Sequence, residues 1–473
     1  MALGNRRRAE LPQLRSYTDR HRHHPRRRYI RLAALGILLI GVLVLSGPTL
    51  ARRALRLIPS RYIMAYAPQP VQDFAFAHDP GSVLPTPEAA QADAEALLEA
   101  IAAMPTPTPA PTIPAAGAES VAPAYIQPTP IPAEPTPTAT PGVEPAAALR
   151  AHEGGDIADT GKVTHLLSGV IWTRQLYNNC GPATITTYLT YWGLDISQEE
   201  AAAFLKPNEE DRNVGPHEIA AYVEAQGLRA LVRVNGNIEL MKKFIAAGYP
   251  VMIERGFDPE PDRLGWMGHY LVLIGYSDED QAFIAQDSYL GPNRALPYNE
   301  MDHFWRHFNR TYIVVHRPDQ AAAVASIVGA NMDDGAMYAR ALSTAQLELN
   351  LSRNDAFAWF NLGSSLVALG RYQEAAAAFD EARKAGLPWR MLWYQFGPYE
   401  AYYQVGRYDD VLALADDTLA KNDQSEEAYY YKGLVYLARD QEDQARRHFK
   451  AALGRNPHYT AAQQALDALG DDG

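Results

Sequence analysis

From Pro105 to Pro145 the chain reads PTPTPAPTIPAAGAESVAPAYIQPTPIPAEPTPTATPGVEP. Proline removes a backbone donor and fixes φ, so a stretch this rich in it favours extended polyproline II and cannot join a packed core. The chain is therefore expected to be multi-domain. Its 473 residues leave room for about two to four folded units. Taken as a Pro/Thr-rich linker over residues 105–149, the tract could reach on the order of 100 Å at about 3.1 Å per residue. It reads as a spacer lifting the C-terminal domains away from a bilayer.

The bilayer is implied further upstream. Residues 32–51, LAALGILLIGVLVLSGPTLA, contain no charge. As a helix they would span about 30 Å, the thickness of a hydrocarbon core. Ten arginines fall within the basic segment 1–31 and four more lie between Arg52 and Arg61. That excess favours a cytoplasmic N-terminus, a single transmembrane helix over 32–51 and an extracytoplasmic remainder. A cleaved signal peptide, processed at Thr49-Leu50-Ala51, is the rival, but the basic region is far longer than such a signal needs. His21-Arg22-His23-His24 reads as a solvated juxtamembrane run and not as a metal site. Residues 52–104 are uncertain and partly helical, with an acidic amphipathic pattern from Pro87 to Met104.

The formal charge of −12 is the sum of +12 over residues 1–61 and −24 over the rest. A body this acidic lacks the clustered Lys and Arg that nucleic-acid phosphates require. One cysteine in the whole chain excludes a disulfide framework and a cysteine-based zinc site. Such a lone thiol is either an inert core residue or a nucleophile.

Residues 330–470 are alanine- and tyrosine-rich with helical periodicity. Trp359, Leu362, Gly363, Leu366, Ala375, Phe379, Ala382 and Pro388 sit at offsets that resemble the 34-residue tetratricopeptide (TPR) repeat. Tyr429, Gly433, Tyr436, Ala445, Phe449, Ala452 and Pro457 form a second copy. A divergent copy between them carries Trp393, Gly397, the Gly406-Arg407-Tyr408 turn and Val411. Gly363 and Gly433 are 70 residues apart, so the middle unit is two residues too long. Ala336–Leu349 supplies a leading helix and Tyr459–Leu469 a solvating cap. The resemblance implies an all-α solenoid whose concave face grips a protein partner or a peptide.

The remaining body, residues 150–320, has the aromatics, β-branched runs and turn signals of an α+β domain, and it holds the cysteine. In Gln175-Leu-Tyr-Asn-Asn-Cys180-Gly-Pro, Gly181 and Pro182 open a helical pattern, so the sulfur stands at a helix N-terminus. There the helix dipole and free N–H groups favour thiolate. Gln175 can aim its side-chain amide at the same place and, with the Cys180 N–H, form a hole for an oxyanion. His269 opens the strand Gly268–Gly275 after a flexible polar loop over 256–268. The next strand, Ala282–Asp287, ends on a carboxylate. A hairpin turning at Ser277-Asp278-Glu279-Asp280 can bring Asp287 beside His269 and fix its tautomer.

In that order, Gln, Cys-Gly-Pro, His and Asp resemble the papain-like cysteine peptidases, most closely the bacteriocin-processing, double-glycine-leader peptidase group and its stand-alone relatives. The resemblance covers about 150 residues from Leu166 to Arg317. It implies Cys180 as nucleophile, His269 as general base and acid, Asp287 as orienter and Gln175 as oxyanion donor, with no cofactor and no metal. Ser288 stands where relatives often carry proline after the aspartate, and the chain has no ATP-binding loop motif. His217, in Val-Gly-Pro-His-Glu, reads as part of a helix start. His303 and His307, four apart near Phe304, Trp305 and Phe308, read as a packing helix and not as metal ligands.

Together these readings give a transmembrane helix, an α+β papain-like domain and an all-α TPR solenoid. The function expected is a membrane-tethered extracytoplasmic cysteine peptidase acting on a peptide or protein substrate through a thioester, with repeats that dock a partner. Two alternatives stay open: a tethered scaffold that binds peptides without cleaving them, and an acyl transferase of transpeptidase or transglutaminase-like type.

Overall fold

The computed structural model describes residues 83–87, 94–103, 164–258 and 265–470. The basic segment 1–31, the expected transmembrane helix 32–51 and the linker 105–149 lie outside them. Among the described residues no helix is long and apolar enough to cross a membrane.

The α+β domain is built on an antiparallel sheet. Its strands are β1 (His165–Leu166), β2 (Arg229–Arg233), β3 (Val251–Phe257), β4 (Met267–Ser277), β5 (Ala282–Asp287), β6 (Gly291–Pro297) and β7 (Tyr312–His316). They run β2-β7-β3-β4-β5-β6, and β1 adds to β4 through His165↔Tyr276 and Leu166↔Gly275. Side chains alternate across a pleated strand, so each central strand feeds two cores. Val251, Ile253, Leu271 and Leu273 meet Met241, Phe244, Met301 and Trp305 on one face. Met252, Val272 and Ile274 meet Ile185, Tyr188, Ile219 and Val223 on the other. Both faces are therefore buried, and every residue of β3 and β5 is buried, Glu254, Arg255, Gln286 and Asp287 included.

Helix α2 (Cys180–Thr190) lies on the second face with α3 (Gln198–Leu205) and α4 (Pro216–Ala225), whereas α5 (Ile238–Ala246) and α6 (Tyr298–Trp305) cover the first. Helix α3 starts with a reciprocal cap: Ser197 Oγ accepts the Glu200 N–H at 3.1 Å and Glu200 Oε2 accepts the Ser197 N–H at 2.9 Å. Residues just beyond 320 complete this body. Val324 and Val328 of α7 (Ala321–Val328) sit in the first core.

The C-terminal region is a run of helix pairs: α8 (Asp334–Leu351), α9 (Ala356–Ala368), α10 (Tyr372–Ala385), α11 (Gly397–Gln404), α12 (Tyr408–Lys421), α13 (Glu426–Ala438), α14 (Glu442–Arg455) and α15 (Thr460–Leu469). The glycine of each well-formed repeat takes a phenylalanine ring against its backbone. A Cβ on Gly363 would stand 2.7 Å from the Phe379 ring, and one on Gly433 2.4 Å from Phe449.

Three expectations are corrected. The loop expected over 256–268 is shorter, because Gly256↔Gly268 and Phe257↔Met267 are paired strand positions. His307 follows α6 in a short 3-10 turn, Arg306–Phe308, since α6 ends at Trp305. Trp393 does not sit within the first helix of the middle repeat. That helix begins only at Gly397, after a 3-10 turn at Met391–Trp393.

Helix α1 (Ala94–Ala103) buries Leu97, Leu98 and Ile101 in the core of the repeats, and the Leu84 N–H donates to Leu387 O at 3.1 Å. Segments on both sides of the proline-rich tract thus belong to one compact unit.

Candidate active site

Cys180 is the first residue of α2, and it is partly exposed although Gly181–Leu189 behind it are buried. The turn that delivers it is held at several points. Asn178 takes the left-handed backbone, φ 53°, which asparagine tolerates. Gln198 Oε1 accepts the Leu176 N–H at 2.8 Å and Asn179 Nδ2 at 2.9 Å, while its Nε2 donates to Arg174 O at 2.9 Å. Lys206 Nζ donates to Asn178 O at 2.6 Å. The carbonyl of Asp211 accepts from Asn178 Nδ2.

His269 and Asp287 are both buried, at 3 % and 2 % exposure. Their pairing follows from register. Leu271 of β4 stands opposite Asp287 of β5, which puts the carboxylate beside the strand that carries the imidazole. His269 Nε2 lies 3.0 Å from Asp287 Oδ1. The same oxygen accepts the N–H groups of Tyr289 and Leu290, each at 2.8 Å. Phe257 stacks on the imidazole with centroids 4.4 Å apart, and Trp172 Nε1 donates to Asp287 O at 2.7 Å. With Nε2 engaged by Asp287, Nδ1 is left for the thiol.

Electrostatics follow from this packing. Burial alone pushes the Cys180 thiol up, but a hydrogen bond and the charge of His269, with smaller contributions from Lys206 and Tyr270, hold it below its ordinary value of 9.0. Burial alone pushes His269 down, but the Asp287 charge and hydrogen bond, reinforced by Cys180, lift it to about 9. Asp287 stays below the ordinary carboxylate value, because His269 and the two backbone N–H groups outweigh its burial. A thiol and an imidazole shifted toward each other in this way favour a thiolate–imidazolium pair.

Gln175 is tied to the residue after the aspartate. Its Oε1 accepts from Ser288 Oγ at 2.9 Å, and its N–H donates to Ser288 O at 2.9 Å. Ser288 Oγ also lies 3.3 Å from Thr184 Oγ1 on α2. Ser288 therefore links the glutamine to the cysteine helix. A side-chain oxygen held in this way leaves Nε2 as the free donor.

His217 lies in the first turn of α4 and is not the histidine beside Cys180. His307 is a packed residue: its ring stacks on Phe357 at 3.6 Å and its Nδ1 accepts from Trp266 Nε1 at 3.1 Å. Burial drives it far below the ordinary histidine value. His303 is exposed. Among the described residues no group of three or more His, Cys, Asp or Glu could hold a metal ion.

The cleft at Cys180 is lined by Asn178, Lys206, Arg212 and Val214 from the helical side, by Glu254, Gly268 and Tyr270 from the sheet, and by Tyr394 from the repeats. Glu254 is buried in β3, and burial raises it well above the ordinary carboxylate value against a hydrogen bond to Tyr270. Gln198, Lys206, Glu254 and Tyr394 belong to no local motif. They reach the site only through contacts distant in sequence.

A cysteine at a helix N-terminus, facing an antiparallel sheet that carries His269 and then Asp287, makes this an α+β peptidase-like domain, followed by a helical TPR-like region. The family model described as Peptidase_C39 like family matches residues 167–313, and the tetratricopeptide repeat model matches 356–385. The chain thus joins a C39-peptidase-like domain to TPR repeats. Among solved structures it is similar to a putative C39-like peptidase from Bacillus anthracis, at 16% identity over 32% of this chain and 97% of that one, TM-score 0.27. It is also similar to a double glycine motif protease from an AMS/PCAT transporter in complex with the leader peptide, at 18% identity over 33% and 96%, TM-score 0.26. YrrB, a TPR protein with an unusual peptide-binding site, matches at 19% identity over 31% and 89%, TM-score 0.18. No curated protein matches the chain.

Proposed function

We propose that this protein is a membrane-tethered, extracytoplasmic cysteine hydrolase that cuts peptide bonds, with its repeats docking a substrate or partner protein. The observation that carries the reading is the chain's one thiol beside a buried His269–Asp287 pair 3.0 Å apart. Cys180 Sγ attacks the carbonyl carbon, and the oxyanion takes hydrogen bonds from the Cys180 N–H and Gln175 Nε2. His269 Nδ1–H passes its proton to the leaving amine as the C–N bond breaks and the thioester remains. His269 then removes a proton from water, the hydroxide attacks the thioester, and the acid leaves with Cys180 restored. The tether rests on the uncharged run 32–51 and the arginines around it.

The test is twofold. Iodoacetamide should label Cys180 of the full-length protein rapidly at pH 6–7, and His269→Ala should slow that labelling by about two orders of magnitude. A diverse peptide pool incubated with wild type, but not with Cys180→Ala, should yield fragments with new N-termini. Equal, slow labelling of both proteins removes the paired thiolate. Fast labelling without fragments, with ligation products appearing once amine acceptors are added, moves the reading to acyl transfer. Peptide capture that survives Cys180→Ala with no product from wild type moves it to a scaffold.

A further inference from the structure

The middle repeat is both two residues too long and poor in repeat pattern, and the structure shows where its extra chain goes. Between Gly386, after α10, and Gly397, at the start of α11, the chain keeps Leu387, Met391 and Leu392 in the core of the repeats and sets other side chains against the α+β domain. Arg390 Nη1 donates to Trp266 O at 3.2 Å, and Gln395 Nε2 donates to His307 O at 3.0 Å. The Arg212 guanidinium lies 5.3 Å from the centre of the Trp393 ring. Within this segment Tyr394 packs edge-on to Trp266 at 5.9 Å and to Phe308 at 5.9 Å.

That position is the cleft of the cysteine. Tyr394 and Gly268 line it together, and Gly268 is the residue immediately before His269. A Cβ on Gly268 would stand 2.9 Å from Phe308 Cζ and 3.0 and 3.1 Å from Tyr394 Cδ1 and Cε1. Across the cleft, a Cβ on Gly181 would stand 3.1 Å from Val214 Cβ. Both walls beside the sulfur are thus glycine backbone: a carbon added at Gly268 would clash, and one at Gly181 would press on Val214. On the sheet side the phenol ring of a different domain takes up that room.

We propose that Tyr394, delivered by the elongated middle repeat, is a specificity-determining wall of the Cys180 cleft that limits the bulk of the residue presented to the thiol. The assignment rests on the proposed hydrolase activity, since it gives the cleft its purpose. It makes the repeats part of the site as well as a docking surface.

Because Cys180 is the chain's one cysteine, alkylation reads this cleft alone. Rates are measured on the full-length protein with two reagents sharing one reactive group, iodoacetamide and an iodoacetamide carrying a dansyl group. The readout is the ratio of bulky to small. Tyr394→Ala should raise that ratio by at least about tenfold, whereas Tyr394→Phe, which keeps the ring, should leave it at the wild-type value. Tyr394→Leu retains apolar packing and should fall between them. It decides the matter if the alanine variant melts early. A ratio unchanged in Ala and Leu overturns the proposal, and so does an equal acceleration with both reagents, which reports general loosening. Failure of the hydrolase reading looks different: iodoacetamide reacts with the wild-type thiol no faster than with free cysteine, while the ratio still reports the wall.

Discussion

Asp287 Oδ1 is the acceptor for three donors at once, His269 Nε2 at 3.0 Å and the N–H groups of Tyr289 and Leu290 at 2.8 Å. An amide oxygen in the same place can accept all three, so Asp287→Asn keeps the geometry and removes only the charge. That charge is what opposes the burial of His269 and holds it at about 9, against an ordinary value of 6.5. The imidazole must carry a proton to release the leaving amine, so activity in the wild type is expected to fall as pH rises through about 9. In Asp287→Asn this alkaline limb should move down toward 6.5 or below, with a loss of about ten- to a hundredfold at neutral pH. The stability effect has the same sign. A raised imidazole pKa contributes fully below 6.5 and is lost as pH rises through about 9, and the variant should lose that dependence. A pH–rate profile of peptide cleavage, with melts across the same range, checks both. An unmoved alkaline limb would assign it to a group other than His269.

Among the elements, the helix pairs show what close approach requires. Gly433 of α13 lets the Phe449 ring of α14 lie against its backbone, and an added Cβ would fall 2.4 Å from that ring. Gly433→Ala should therefore destabilise by about 1–3 kcal/mol through overpacking, despite alanine's better helix propensity. Adding Phe449→Leu should recover part of the loss, as chemical denaturation of the single and double variants would show. This repeat spacing was legible in the sequence because it is periodic. So were the start of α2 at Cys180, fixed by Gly181 and Pro182, and the β4–β5 hairpin that brings Asp287 to His269. What was not legible is non-periodic. The two extra residues of the middle repeat showed its divergence but not its destination, because Trp393 fits the repeat offset while its ring faces Arg212 of the other domain. Lys206, Glu254 and Gln198 serve the site through contacts that no local pattern encodes. The short loop between β3 and β4 was hidden because Gly256, Met267 and Gly268 look like loop residues until strand pairing claims them.

At the scale of the whole molecule, the two domains meet through charge as well as rings. On one side Arg306 Nη1 reaches Asp355 Oδ2 at 2.7 Å and Arg310 Nη2 reaches Glu348 Oε1 at 2.7 Å. On the other, where Asn208 Nδ2 donates to Gln424 Oε1 at 3.0 Å, carboxyls from both domains are buried near one another. Burial lifts Glu218 to about 8, helped by the charge of Glu426 and opposed by the Gly215 N–H. Burial first, and then neighbouring carboxylates, push Asp211 and Glu427 well above their ordinary values, and burial raises Glu426. The folded protein therefore holds protons here that the unfolded chain, with Glu218 at its ordinary 4.5, has released. The unfolded state binds fewer protons, so stability falls as pH rises from 4.5 to about 8. Between pH 6 and pH 9 the melting temperature is expected to drop by about several degrees. Glu218→Gln keeps an acceptor for the Gly215 N–H, now bonded at 2.6 Å, and cannot ionise, so its melting temperature should fall less over the same range. A wild-type melting temperature that stays level or rises over this range would mean that these carboxyls are already ionised and solvated where the domains meet.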